Sequence, residues 1–328
     1  MSKTVSLVLG SGGARGYAHI GVIEELQARG YEIQAVAGSS MGALIGGLFA
    51  AGELDHYRDW VKELNYVDVI RLLDLSFKNP GVINGSRVFD VISEMVGDTR
   101  IEQMPIVFTA VATDLHARKE IWFQDGELLP AIRASIAIPS LFTPVNYNGR
   151  TLVDGGVLNP LPIAPTVSAH SDMIIAVDLN ADVQPFKMCC STSQPTRQDK
   201  VFSRWLNKFR WRSSRGIQTA GSHGEAMMKS GMLDIFNQSL EIMQESLARY
   251  KMAGYAPDLL IPISRRQCRF YEFNRAEEMI QLGRIVTERA LDSYEAGQGS
   301  GFEYSYAGSG EPPITFPGQD VAQGTAGS

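Results

Sequence analysis

Residues Gly38-Ser39-Ser40-Met41-Gly42 have the form G-x-S-x-G and sit between an apolar run, Ile33 to Ala37, and a small-residue stretch that reads as a helix. A serine on so sharp a strand-to-helix turn holds its hydroxyl exposed at the sheet edge, and glycines are needed where the strand folds back. The positive end of the helix dipole favours the negative charge that develops there. Ser40 is therefore a candidate nucleophile with Gly38 and Gly42 as its elbow; the bland alternative is an ordinary glycine-rich βα turn. A second run, Gly10-Ser11-Gly12-Gly13-Ala14-Arg15-Gly16, follows the short apolar segment Ser6 to Leu9. A dinucleotide fingerprint starting at Gly10 needs glycine where Arg15 stands, and one starting at Gly12 fails at Ala14. No Gly-Lys-Ser/Thr is present, which removes a P-loop. What remains is a nest of backbone N–H groups at a helix start, suited to a single oxyanion. The third motif is Asp154-Gly155-Gly156. A carboxylate at a strand end before two glycines can approach another backbone closely, although Asp-Gly is equally turn chemistry.

A sheet must position these motifs. Ser6 to Leu9, Ile33 to Ala37, Ile106 to Ala112 and Met173 to Val177 read as buried strands, alternating with helix-like stretches such as Tyr17 to Arg29, which Gly30 ends. That alternation is the pattern of a mostly parallel sheet covered by helices. Asn148-Gly149 between Val145–Tyr147 and Thr151–Val153 predicts a tight hairpin turn just ahead of Asp154. Asp234 to Lys251 and Arg275 to Glu295 read as amphipathic helices, the second capped by Asn274 with Glu277, and Pro257 to Ile263 as an edge strand.

Composition excludes several classes. A net charge of −6 over 328 residues argues against nucleic acid as the main partner. The five histidines (His19, His56, His116, His170, His223) are scattered, and Cys189, Cys190 and Cys268 lack the paired spacing of a zinc site, so neither metal nor cofactor is expected. The first residues show no signal-peptide pattern and the longest apolar run, Met41 to Gly52, is too short to span a bilayer, so a cytoplasmic protein is expected. One segment departs from the acidic balance: Lys187 to Arg215 carries eight basic residues against Asp199 alone, with Val201, Phe202, Trp205, Leu206 and Phe209 on one face if helical. Such a piece either touches an anionic membrane surface peripherally, at its inner face, or packs as a solvated insertion. The expected organisation is one domain over 1–295 with a basic insertion at about 183–220, and a Gly/Ser/Pro-rich disordered tail over 296–328.

Taken in order, the Gly10–Gly16 loop, the G-x-S-x-G, the segment Arg133-Ala134-Ser135-Ile136-Ala137-Ile138-Pro139 and the Asp154-Gly155-Gly156 motif resemble the patatin-like phospholipases, most closely their bacterial RssA-type branch. The resemblance runs from about Val5 to Asp178 and more loosely to about Glu295. It implies a three-layer α/β/α fold and a Ser-Asp dyad with Ser40 as nucleophile and Asp154 as general base. The N–H groups of Gly12, Gly13 and Ala14 would form the oxyanion hole, with Arg15 holding that loop or adding positive charge. The substrate would be a lipid or other acyl ester, cleaved through an acyl-enzyme. Asp154 should then be shielded from water, because burial is what makes a carboxylate basic enough. Met41 stands where many relatives carry alanine and is expected to narrow the acyl site. Asp114 and Asp178 also end strands and are rival bases without the double glycine. His19 is expected to be a packed, hydrogen-bonded histidine and His170 to cap a helix end. The alternative function is a regulatory or membrane-surface binding protein of this fold with little turnover.

Overall fold

The computed structural model describes residues 3–64, 68–69, 86–139, 141–186 and 222–297. Strands β1 (Thr4–Leu9), β2 (Glu32–Ser39), β3 (Val107–Asp114), β4 (Lys119–Phe123), β5 (Val145–Tyr147), β6 (Arg150–Asp154), β7 (Met173–Ala181) and β8 (Leu259–Ser264) form one sheet. Their order is β5-β6-β3-β2-β1-β7-β8, with β4 also paired to β3. The centre is parallel, from β3 through β2, β1 and β7 to β8, which lies at the edge as its sequence suggests. Continuously buried strands such as Val5 to Leu9, apolar but for Ser6, belong there because both faces of a parallel sheet are covered.

Seven helices are described: α1 (Ala18–Ala28), α2 (Met41–Ala51), α3 (Leu54–Glu63), α4 (Ser86–Val96), α5 (Leu128–Ser135), α6 (Ser222–Gly254) and α7 (Ala276–Glu295). Leu7, Leu9 and Val177 face a large core with α1, α2 and α7, while Val8 and Ala176 point the other way, onto Leu161, Ile163 and the α6 residues Ala248 and Met252. This is a three-layer α/β/α arrangement. Each fully buried aliphatic side chain in it contributes roughly 1.5–3 kcal/mol. No helix among the described residues is long and apolar enough to cross a membrane.

The register of β3 positions the site. Ala110 and Val111 pair with both β2 and β4, and Ala112 to Asp114 pair with both β4 and β6. A strand has two edges, so β6 shares with β2 the edge opposite β4. β2 is parallel to β3 and β6 antiparallel, so the two run toward each other. Ser39 pairs with Val111 and Asp154 with the next residue, Ala112, which brings their C-terminal ends together.

Gly30 takes φ 77° beyond α1, and Asn148 and Gly149 take φ 47° and 74° in the hairpin, as a type I′ turn requires. Other expectations are corrected. Asn274 does not cap α7: a 3₁₀ turn over Phe273–Arg275 makes Arg275 the cap residue without a side-chain bond, and its guanidinium is engaged by Glu272 and Glu278. The α6 helix begins well before Asp234, at Ser222, and ends shortly after Lys251, at Gly254. The basic stretch Lys187 to Arg215 and the tail from 298 lie outside the described residues.

Candidate active site

Ser40 joins β2 to α2 with φ 57° and ψ −124°, a conformation that a non-glycine residue adopts at a cost of roughly 1–3 kcal/mol. The surroundings over-determine it. Its N–H donates to Ser135 Oγ at 3.0 Å, and Ser135 Oγ donates to the Val111 carbonyl at 2.6 Å. The elbow glycines leave no room for side chains: a Cβ on Gly38 would stand 2.3 Å from the Gly42 backbone, and one on Gly42 would stand 2.0 Å from the Leu9 carbonyl. Ser40 Oγ donates to Asp154 Oδ2 at 2.6 Å. Asp154 Oδ1 accepts the Gly156 N–H at 2.7 Å, and the Asp154 N–H donates to the Ala137 carbonyl at 2.9 Å. The segment Arg133 to Pro139 thus holds both members of the pair, the serine's backbone through Ser135 and the carboxylate's through Ala137. Asp154 is 3% exposed. Burial pushes its carboxyl up to about 7, outweighing the hydrogen bonds from Ser40 and Gly156, which act in the opposite direction.

The glycine-rich loop lies alongside. Gly13 has φ 57°, and a Cβ there would stand 2.5 Å from the Phe270 carbonyl, so only glycine fits. One expectation fails here. The Ala14 N–H is already bonded to that Phe270 carbonyl at 2.9 Å, and the Arg15 N–H to the Gly12 carbonyl at 3.3 Å, so neither is a free donor. The first acceptor belongs to the loop after β8, far from the motif in sequence, and the second to Gly12, which caps the 3₁₀ turn at Gly13–Tyr17. The Gly12 and Gly13 N–H groups have no acceptor among the described residues. Arg15 is almost wholly buried, holding the loop through Nε to the Gly12 carbonyl at 3.1 Å and pairing with Glu241 of α6 at 2.9 Å.

A pocket opens beside Ser40, walled by Gly13, Tyr17, Met41, Leu44, Tyr57, Trp60, Leu64, Val88, Ile136, Ile138, Phe142 and Phe273. Its lining is almost entirely apolar, the wall a hydrocarbon chain would need. Met41 takes its place in that wall directly after Ser40. Tyr57 and Trp60 come from α3, an amphipathic helix not among the elements read from the sequence above.

The rival carboxylates do not reach Ser40. Asp114 accepts the His116 and Ala117 N–H groups in a turn, which holds its carboxyl below the usual range. Asp178 is buried, its carboxyl raised by desolvation, and it accepts the Asn180 N–H at 2.9 Å. His19 is fully buried with Nε2 at 2.8 Å from the Gly10 carbonyl, and burial lowers its pKa to about 4. His170 ends a 3₁₀ turn at φ 52°. No group of three or more His, Cys, Asp or Glu side chains among the described residues is placed to hold a metal ion.

The family model for the patatin-like phospholipases matches residues 7–167. An uncharacterised NTE family protein of Mycobacterium tuberculosis is 42% identical, over 90% of this chain and 93% of that one. The human patatin-like phospholipase domain-containing protein 6 is 31% identical over 62% of this chain and 15% of its own length. Among solved structures, VipD from Legionella pneumophila aligns at 14% identity with a TM-score of 0.42, covering 89% of this chain and 67% of that chain.

Proposed function

The chain belongs to the patatin-like phospholipase family of lipid hydrolases, and from that premise we propose that it cleaves lipid carboxylic esters through an acyl-enzyme on Ser40, with Asp154 as general base. The observation that carries this reading is the 2.6 Å hydrogen bond from Ser40 Oγ to a buried carboxylate poised at about 7. A base is most effective near the working pH, and it must lie within hydrogen-bond reach of the proton it takes.

In the first step Asp154 Oδ2 takes the hydroxyl proton as Ser40 Oγ bonds to the acyl carbon. The carbonyl oxygen becomes an oxyanion facing the free N–H groups of Gly12 and Gly13. The bond to the alcohol then breaks, and Asp154 returns its proton to the leaving oxygen. Water repeats the sequence: its proton passes to Asp154, its oxygen bonds to the acyl carbon, and Ser40 leaves with the proton restored. The apolar cavity takes the acyl chain, and the alcohol departs on the solvent side. This reading needs no histidine, and the buried His19 is committed to Gly10.

The test needs no knowledge of the natural ester. Intact-mass analysis after exposure to a long-chain fluorophosphonate should show a single adduct on the native protein and none on Ser40→Ala. Folded native protein that stays unmodified would overturn the reading, and a binding role would take its place.

A further inference from the structure

The two free donors of the glycine-rich loop share an arrangement. In a trans peptide the C=O and N–H point in opposite directions across one rigid plane, so holding the oxygen aims the proton. The Ser11 carbonyl accepts Asn180 Nδ2–H at 2.9 Å, and the N–H across that plane belongs to Gly12. The Gly12 carbonyl accepts Arg15 Nε–H at 3.1 Å, and the N–H across that plane belongs to Gly13. Arg15 is itself fixed, donating to Glu241 Oε1 at 2.9 Å and to the Arg265 carbonyl at 3.1 Å. Glycine peptides have the widest rotational freedom, so these are the planes where an outside clamp matters most.

Asn180 is 3% exposed on β7. Its Oδ1 has no partner among the described residues, so this buried amide serves the Ser11 carbonyl at the expense of an unsatisfied oxygen. Glu241 lies on α6. Both residues stand beyond position 167, where the family match ends.

We propose that Asn180 and Glu241 are positioning residues for the oxyanion site, Asn180 aiming the Gly12 N–H directly and Glu241 aiming the Gly13 N–H through Arg15. The inference rests on the acyl-transfer reading above. Neither residue touches substrate; each holds a donor in place before charge develops, which is where such sites gain their advantage.

The experiment uses the full chain and a soluble ester, with kcat and KM measured across pH. Asn180→Leu removes the amide N–H at similar volume, Glu241→Ala removes the acceptor for Arg15, and Glu241→Gln keeps an acceptor oxygen. Losing an oxyanion donor outright costs about 100- to 1,000-fold in kcat, so misaiming one should cost about 10- to 100-fold. The expected result is that loss in Asn180→Leu and Glu241→Ala, with KM and the kinetic pKa unchanged. Glu241→Gln should recover most of the activity. The double variant should lose less than the product of the single losses, because the two clamped peptides are adjacent and serve one oxyanion site. Unchanged kcat in both folded single variants overturns the proposal, as does a loss confined to KM or a displaced pH profile. If Asn180→Leu does not fold, Asn180→Ser decides by the same criteria. Wild type that fails to label at Ser40 would sink the acyl-transfer reading; labelled wild type with unimpaired variants sinks this inference alone.

Discussion

Asp154 is asked to be two things at once, a buried group and a charged one. Its carboxyl ordinarily titrates at 3.8 and in the fold at about 7. Between those values the folded chain binds a proton that the unfolded chain has released, so stability falls as pH rises through that window. The full effect is on the order of 4 kcal/mol, present as a penalty above the folded pKa and absent below the unfolded one. The same ionisation is what the proposed chemistry requires. On a soluble ester, kcat/KM should therefore climb with pH to a plateau above about 7. Asp154→Asn should abolish fluorophosphonate labelling and yet melt above the wild type at about pH 8, the gap closing by about pH 4. Calorimetry across pH checks this, and parallel melting curves for the two proteins would mean that the carboxyl does not titrate in that range.

At the scale of elements, the site is a junction of two strand ends beside a third strand. Gly155 sits at the junction, where a Cβ would stand 2.1 Å from the Val111 carbonyl. Gly155→Ala should push β6 away from β3, costing about 1–3 kcal/mol in urea titrations. It should also cost more than about 100-fold in kcat, because a misplacement of the order of 1 Å is enough to do so. Activity near the wild-type level would show that the junction yields elsewhere. The buried strands were readable in the sequence because double burial makes them apolar, and the motifs because glycine at such contacts has no substitute. β4 was not, since Lys119-Glu120-Ile121-Trp122-Phe123 is half-exposed and carries no run of buried residues. The roles of Ser135, Asn180 and Glu241 were invisible for a different reason, although Ser135 lies in a motif the sequence shows. All three are ordinary residues whose roles come from atoms 95, 169 and 226 positions away in the chain. The assignment of Ala14 failed in the same way, because the carbonyl that occupies its N–H is supplied by distant Phe270.

For the whole molecule, the family match over 7–167 contains the proposed nucleophile and base but not everything that frames them. β7 pairs with β1 along Val5 to Leu9, and the later segments supply Asn180, Glu241, Arg265 and Phe270 around the glycine-rich loop. A chain ending at Ala169 would strip β7 from β1 and leave a long apolar edge open to other chains. It should be recovered aggregated and unlabelled by the fluorophosphonate, although Ser40 and Asp154 are both present. Soluble, labelled fragment would show that the first half stands alone. The meeting of β2 and β6 against Val111 and Ala112 has a further consequence. The spacing of the proposed pair is counted along β3, one residue to the next, and not along the 114 positions that separate Ser40 from Asp154. A strand advances about 3.3 Å per residue, so a single-residue slip of β6 would carry the carboxylate out of reach and turn it to the other face. Of the chain between the two strands, β3 and the Arg133 to Pro139 segment must keep their places, while the connections outside them are free to lengthen, shorten or change composition without retuning the chemistry. Substrate preference can drift through evolution while the bond-making distance stays fixed.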